Sequence, residues 1–362
     1  MSSAIHDEAI HDERAEPLTT ENTALLRSLS DEVLAPLATK TRSGAAALGE
    51  PWDLLRDLGW PMAGVPEALG GGGGGLGDVL ALAEGLGRNA VPLPLLEAQS
   101  AGAAVVAGGR SDLLGLPLVV ETWPRWSALR ITDDNGRLRI SGTARRTPWA
   151  RHASAVLIRV TEAGANRWIA CDLPNEAVTI SPGTNLAGEP RDDVRFDDLV
   201  VPAASSWDCP DESPADLGIL LRCAALVGAI DATVALTSRY VRDREQFGRP
   251  LQALQSVAQA VALMRAQLSA ARAAVDAAAR SPVTPNVMAA HVDLAGYAGR
   301  IARTAHDLHG AMGVTEEYGL HPLTKRLWAW PEEGVRQLDA RAELGKRAAE
   351  GGVAELWDSV IA

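Results

Sequence analysis

The sequence predicts a multidomain α+β protein in which a small β domain separates two helical regions. Residues 18–113 carry apolar side chains at helical spacing, 114–204 contain short apolar segments bounded by turn residues, and 205–362 read as long Ala-rich helices. The polar, acidic residues 1–17 predict a disordered tail. A chain of 362 residues is long enough to bury a large core in two or three domains.

The N-terminal region is predicted to be helical from its leucine spacing. The repeating residues are Leu25, Leu26, Leu29, Val33 and Leu34, followed by Leu54, Leu55 and Leu58. Between helices lies the glycine-rich segment Gly64 to Gly75. It satisfies a GxGxxG pattern, but a dinucleotide fingerprint needs a preceding strand and a following βαβ unit, and neither is predicted here. We therefore interpret it as a flexible turn.

The middle region is predicted to be a small β-barrel or sandwich. Its apolar or alternating segments are 138–142, 154–160, 168–173 and 194–201. Turn sequences such as Asp134-Asn135-Gly136 separate them, which favours antiparallel pairing.

The C-terminal region is predicted to be an antiparallel helical bundle. Ser213-Pro214 provides an N-cap and a first-turn proline for a helix that extends to about Arg242. The next helix has an apolar face of Val257, Val261, Met264, Leu268 and Ala271. A third is predicted to be capped by Thr284-Pro285 and has a seam of Val287, His291, Leu294, Ala298, Ile301, Ala305 and Leu308. On that seam His291 is expected to be a packed core residue rather than a ligand.

Composition narrows the classes of partner and compartment. The net charge of −12 argues against nucleic acid or an anionic membrane surface, because both need clustered Lys and Arg. Cys171, Cys209 and Cys223 are scattered and show no ligand spacing, so we predict neither a disulfide framework nor a metal site. The N-terminus does not resemble a signal peptide, and the sequence has no unbroken apolar run of spanning length. Together these features predict a cytoplasmic protein.

Three arginines flank the end of the first bundle helix, at Arg242, Arg244 and Arg249, around the turn Phe247-Gly248. Gln255 begins the helix that follows. Guanidinium groups beside free backbone groups at a helix end suit a diphosphate, which they bind with bidentate hydrogen bonds. A solvated charged turn is the equal alternative on these residues alone.

Two further segments are candidates for chemistry. The turn His309 to Thr315 contains Gly310 and Gly313, and such small residues let a cofactor approach the backbone closely. The alternative is an ordinary helix end and loop. Glu332-Glu333-Gly334 follows a Trp- and Pro-containing stretch, so one carboxylate is a candidate general base with a raised pKa. The alternative is a pair of surface acids.

Taken in order, these segments resemble the acyl-CoA dehydrogenase family. The residues Arg244, Phe247, Gly248 and Gln255 match the family's RxxFG motif and the glutamine after it, and HGAMGVTEEYGL (309–320) is similar to its glycine turn. The segments GVPEALGG, LAEGLGRNAVPLP and VRFDDLVVPAA are also similar to family segments. The resemblance covers nearly the whole chain, and it implies FAD bound at a subunit interface by Arg244, Phe247, Gly248, Gln255, Gly310 and Gly313.

The sequence departs from the family pattern at several points. The flavin-side Thr-Glu-Pro pattern is replaced by VETWPRWSALRI (120–131), and the Trp-Ile-Thr segment by Arg146-Thr147-Pro148. Asp307 stands where glutamine is usual. Glu333-Gly334 fits the family's base, a Glu followed by Gly, only with a one-residue gap after Tyr318. These departures resemble the partner subunits of heteromeric acyl-CoA dehydrogenases known from actinobacterial steroid breakdown.

The resemblance implies α,β-dehydrogenation of an acyl-CoA, with Glu333 as the base and an electron-transfer flavoprotein as the electron acceptor. Three hypotheses follow. The chain is a self-sufficient FAD-dependent dehydrogenase, a non-catalytic subunit that completes a partner's FAD site, or a related flavoprotein such as a monooxygenase. In the first two it forms a homo- or hetero-oligomer through helices 251–308.

Overall fold

A computed structural model of the protein describes residues 18, 20–41, 48–114, 118–120, 128–133, 136–162, 165–208, 213–315 and 318–361. The predicted N-terminal tail, Cys209 and most of the flavin-side departure at 120–131 lie outside these residues. The described part has helices first, then two β-sheets, then helices again, as the sequence predicts.

The described part of the N-terminal region contains the α-helices α1 (Glu21–Thr41), α2 (Gly49–Asp57), α3 (Leu76–Arg88) and α4 (Leu95–Ala107). The glycine-rich segment is a turn between α2 and α3, and backbone bonds to Met62, Ala63 and Val65 hold its shape. A Cβ at Gly71 would lie 2.1 Å from the Val65 carbonyl oxygen, so glycine is required by close packing.

In the middle region, the residues that the structure describes form two four-stranded sheets. One has the order β1 (Leu118–Val120), β4 (Ala155–Glu162), β5 (Ala165–Asp172), β8 (Ser206–Asp208), and the other β2 (Ala128–Asp133), β3 (Arg137–Pro148), β7 (Arg191–Pro202), β6 (Val178–Ser181). The pairing among the described strands of these sheets is antiparallel, as the turn sequences favour, except between β1 and β4, which run parallel. An apolar core containing Ile140, Ile158 and Phe196 lies between the sheets.

The C-terminal region contains α5 (Ser213–Asp243), a short hairpin of β9 (Glu245–Gln246) and β10 (Arg249–Pro250), α6 (Gln255–Arg280), α7 (Thr284–His309), α8 (Leu320–Ala329) and α9 (Gln337–Ile361). The seam of α7 is buried as predicted except at Leu308, which is half-buried. Thr284 does not cap α7, since its hydroxyl donates to Asp216 on α5 at 2.7 Å.

Helix α5 is the central element of the helical core. It packs against α3 so closely that a Cβ at Gly87 would lie 1.8 Å from the Ala225 carbonyl oxygen, and one at Gly228 would lie 1.9 Å from that of Glu84. Among the described helices, α5 alone has the length and apolar composition to cross a membrane, and most of it is buried inside the protein. Its apolar character is therefore that of a core helix.

Candidate active site and cofactor site

Glu333, the predicted base, is buried at the turn between α8 and α9. Its Oε1 accepts a hydrogen bond from Asn185 Nδ2 at 2.6 Å. Its Oε2 lies 2.5 Å from Arg191 Nη2 and 3.0 Å from Arg222 Nη1. Both carboxylate oxygens are therefore engaged, and two of the three donors carry positive charge.

Glu189 is a second buried carboxylate beside Glu333. Its oxygens contact Arg326 at 3.0 Å, Trp330 Nε1 at 2.8 Å and Asn185 Nδ2 at 2.9 Å. Burial by itself raises the pKa of Glu189, but the charges of Arg326 and Arg191 outweigh it and hold the pKa at about 2. Glu189 is therefore ionised at every physiological pH.

Glu97 on α4 completes a buried charge cluster. Its Oε1 lies 3.0 Å from Arg222 Nη2 and 4.0 Å from Arg191 Nη2. The cluster contains Glu97, Glu189, Glu333, Arg191, Arg222 and Arg326, each under 10% exposed. Three negative charges thus match three positive ones where the β domain, α4, α5 and α8 meet. Isolated buried charges are costly, so this matching is what makes the cluster stable.

A pocket of about 110 Å³ opens beside the cluster. Leu96, Trp168, Ile219 and Val335 provide apolar walls, and Glu97, Arg222 and Glu333 form its charged side. His291 also lines it, so the predicted core histidine is buried but borders a cavity. Burial lowers the pKa of His291, which leaves the ring neutral at pH 7.

The predicted cofactor residues lie at the far end of the bundle. Arg244 and Phe247 are exposed, Phe247 at 79%, on the hairpin after α5. Phe247 and Gly248 adopt left-handed backbone conformations, with φ of 57° and 75°. Gln255 is exposed at the first residue of α6. This motif forms an outward-facing surface of the chain.

The glycine turn lies next to this hairpin. The Tyr240 hydroxyl donates to the His309 carbonyl oxygen at 3.3 Å, and the two rings stack with centroids 4.4 Å apart. Gly310 follows with a φ of 56°, whereas Gly313 packs tightly, since a Cβ there would lie 3.0 Å from His309 Cβ. The structure thus brings Gly310 close to the Arg244 motif. Glu333 lies at the other end of α8, which has ten residues and is therefore about 15 Å long.

Sequence reasoning missed the partners of Glu333. Only Arg222 carries a local signal, because it is a lone charge within the apolar helix segment Leu220 to Val227. Asn185 and Arg191 lie 148 and 142 residues from Glu333 along the chain, so only the folded structure brings them together.

Comparison with known proteins agrees with this architecture. The models of the acyl-CoA dehydrogenase N-terminal and C-terminal domains match residues 20–112 and 216–330. The acyl-CoA dehydrogenase IpdE2 of Mycobacterium tuberculosis is 28% identical over 80% of this chain and 85% of that protein. The ChsE4-ChsE5 complex of M. tuberculosis contains a chain with a TM-score of 0.82 at 22% identity, with coverage of 92% of this chain and 97% of that one.

Butyryl-CoA dehydrogenase from Megasphaera elsdenii has the same fold, with a TM-score of 0.82 at 19% identity over 91% of this chain and 98% of that chain. The helical, β and helical regions, the hairpin with its arginines and the glycine turn all occur in the order that the resemblance implies. This chain belongs to the acyl-CoA dehydrogenase family.

Proposed function

We propose that the protein takes part in FAD-dependent α,β-dehydrogenation of an acyl-CoA thioester as a subunit that completes the FAD site of a heteromeric enzyme. The proposal that this chain completes a heteromeric enzyme rests on how the Glu333 carboxylate is held. Three donors engage its two oxygens, and two of those donors are arginines. Neither carboxylate oxygen is free to meet a substrate in this arrangement, so in this proposal a second, homologous chain supplies the base.

The end of the bundle fits a flavin dinucleotide. Exposed guanidinium groups at Arg242, Arg244 and Arg249 suit the diphosphate. Beside them, the buried Nε2 of His309 has no hydrogen-bond partner. Phe247 gives an exposed ring for an aromatic contact. The chemistry that bound FAD supplies is acceptance of the β-hydrogen as a hydride.

In this proposal the chain's own residues bind and orient the dinucleotide cofactor. Arg244 and Gln255 hold the dinucleotide across an interface between subunits, and Gly310 lets it approach the backbone. Glu333 neutralises Arg191 and Arg222 and so fixes the wall of the pocket. Electrons leave to an electron-transfer flavoprotein, and the reaction belongs to lipid or steroid breakdown in the cytoplasm. The buried thiols Cys171 and Cys223 are consistent with a reducing compartment.

A second candidate is a self-sufficient dehydrogenase with Glu333 as its base. One observation favours it: Glu333 and Gly334 line the pocket, and the buried Trp330 lies next to them. The base would then act only after a substrate displaces Asn185 or an arginine from the carboxylate.

The deciding experiment compares the chain alone with the chain co-expressed with a second, homologous acyl-CoA dehydrogenase chain from the same organism. Flavin absorbance per chain and anaerobic bleaching by a panel of acyl-CoAs are measured for both preparations. The proposal expects bleaching only with the second subunit. Bleaching at full rate by the chain alone would instead support the self-sufficient enzyme, and FAD-free protein in both preparations would contradict both candidates.

A further inference from the structure

A groove along helix α3 lies between α1, α5 and α6. Its volume is about 240 Å³, more than twice that of the pocket beside the charge cluster. The α3 residues in its wall recur every three or four positions, so they form one face of that helix. They begin at Gly77 and end at Arg88, which gives the groove a length of about 16 Å. The residues that line it from the other elements are Leu18, Arg27, Ala224, Val227, Arg272, Val275 and Asp276.

Two arginines in the groove have unused hydrogen-bond donors. Arg27 Nε lies 3.4 Å from Glu84 Oε2, and Arg272 Nη2 lies 3.3 Å from Glu84 Oε1 and 2.8 Å from Asp231 Oδ2. Both Nη atoms of Arg27 and Nη1 of Arg272 make no hydrogen bond with the described residues. The two side chains are 43% and 46% exposed. A carboxylate that enters the groove therefore meets accessible N–H groups on both arginines.

An acidic side chain lies one helical turn from Arg272. Asp276 is exposed and forms no ion pair with the described residues. Helix α6 runs antiparallel to α5, because the Leu251 N–H before α6 donates to the Arg244 carbonyl oxygen after α5, whereas Arg272 pairs with Asp231 inside α5. Four residues along a helix correspond to about 6 Å, so a positive and a negative group follow each other in the groove at that spacing.

The chain enters the groove at the end that is farther from Asp276. A Cβ on Gly77 would lie 2.0 Å from the Leu18 carbonyl oxygen, so Leu18 crosses the start of α3. Helix α3 also runs antiparallel to α5, as its close contacts with that helix show, and α3 and α6 are therefore parallel. Since Arg272 pairs with Glu84, a traveller from Leu18 along the groove meets the arginines first and Asp276 second.

The residues directly before Leu18 carry the complementary charges in the same order. They are Glu13, Arg14, Ala15, Glu16 and Pro17. The residue before a proline favours an extended backbone, and in an extended segment alternate side chains share a face. Glu16 and Arg14 then lie on one face about 7 Å apart, which matches the spacing of Arg272 and Asp276. The Cα atom of Glu16 lies within about 7 Å of that of Leu18, and its side chain covers the remaining distance to the arginines.

We propose that residues 14–17 bind along this groove in an extended conformation. The Glu16 carboxylate accepts hydrogen bonds from Arg27 and Arg272, and the Arg14 guanidinium donates to Asp276. A free anion would satisfy only the arginines, whereas this segment also matches Asp276. Its effective concentration at the groove is high because it is covalently joined to Leu18. The bound segment ties α1 and α3 to α6, and the groove thereby orders part of the tail that the sequence predicts to be disordered.

Cleavage by trypsin tests the position of Arg14. Arg14 is the first Lys or Arg of the sequence and Arg27 is the next, so early cleavage after Arg14 releases residues 1–14 as one peptide. The release rate from the full-length protein is measured by mass spectrometry and compared with that from a synthetic peptide of residues 9–22. Protection of about tenfold is expected for a segment held by local contacts. Cleavage at the rate of the peptide would overturn the proposal. Protection that disappears on dilution would assign the segment to a second chain and would overturn it as well.

Variants test the two ion pairs. Glu16→Gln should lower the protection about two- to fivefold, the value of an exposed ion pair. Glu13→Gln is the matched control, because Glu13 lies on the opposite face of the extended segment and should leave the protection unchanged. Each variant is compared with a peptide of its own sequence, so the effect of a nearby acid on trypsin cancels.

The groove side is tested separately. Asp276→Asn should lower the protection as Glu16→Gln does, whereas Asp57→Asn, at an exposed position at the end of α2, should not. Equal protection in Glu16→Gln and Glu13→Gln, or full protection in Asp276→Asn, contradicts the assignment. The assay involves neither flavin nor acyl-CoA, so its outcome is independent of the proposed function.

Discussion

At the scale of single residues, Glu333 is buried beside aromatic residues, and two arginines also pair with its carboxylate. Its sequence neighbours Trp330 and Pro331 predicted a site shielded from water, and the structure buries both. The sequence did not connect Arg191 or Arg222 with this carboxylate, because these partners lie on β7 and α5. Burial near aromatic residues is a local property, whereas ion pairing is set by the tertiary fold.

Replacing Glu333 by Gln separates the two roles. If Glu333 is structural, the heteromeric enzyme keeps its rate of flavin reduction within about tenfold, while stability falls by about 3–5 kcal/mol because two buried arginines lose their counter-charge. Thermal unfolding and single-turnover flavin bleaching measure the two effects. Glu189→Gln is the control, since it disturbs the same cluster at a residue that does not line the pocket. A loss of several orders of magnitude in Glu333→Gln alone, with FAD retained, would identify Glu333 as the base.

The low pKa of Glu189 predicts how stability depends on pH. Its pKa is about 2 in the folded state against an ordinary value of 4.5. Its contribution, about 3 kcal/mol, is therefore fully present above pH 4.5 and is lost as the pH falls towards 2. The difference in unfolding midpoint between wild type and Glu189→Gln should shrink as the pH is lowered from 5 to 3. A constant difference across that range would show that the carboxylate is not held ionised by its arginines.

At the scale of elements, periodicity predicted α7 better than α1. The α7 seam follows steps of three and four, and all of it except Leu308 is buried, because apart from His291 its side chains are apolar. In α1 two of the leucines at helical spacing, Leu25 and Leu29, are exposed at 56% and 38%. Thr23 and Ser30 face the core instead, and the Thr23 hydroxyl donates to Asp78 at 2.7 Å. A buried polar contact that fixes the face of a helix leaves no trace in hydrophobic spacing.

The hairpin after α5 carries the prediction for cofactor binding. Arg244→Ala removes an exposed guanidinium beside the glycine turn, and loss of one charge-assisted bidentate contact costs about 2–3 kcal/mol of FAD affinity. Flavin absorbance per chain after gel filtration measures it. The control is Arg56→Ala, which removes an exposed arginine from α2 in a surface pair with Asp53. Equal flavin content in Arg244→Ala and wild type would remove Arg244 from the site.

At the scale of the whole molecule, the order of the three regions was predictable because the hydrophobic pattern changes from helical spacing to short strands and back to helical spacing. The meeting point of β domain, α4, α5 and α8 was not, since its six charged residues come from four separate segments.

One further surface needs a partner. Helix α6 buries Met264, Ala271 and Val275 on one face, and exposes a row of small apolar residues on the other: Ala258, Ala262, Leu263, Ala266, Ala270, Ala273 and Ala277.

This row predicts that the protein is an oligomer and that α6 is part of its interface. Small side chains allow two helices to approach closely, and Leu263, 59% exposed, is the one large apolar group in the row. Ala266→Arg places a long charged side chain at the centre of the row, so it should dissociate the assembly without disturbing the core beneath. Multi-angle light scattering at micromolar concentration measures this, with Ala68→Arg on an exposed turn of the N-terminal region as the control. Because the Arg244 motif faces outwards from the chain, Ala266→Arg should also lower flavin content. A wild-type protein that is a stable monomer with FAD bound would contradict both the interface and a dinucleotide site shared between subunits.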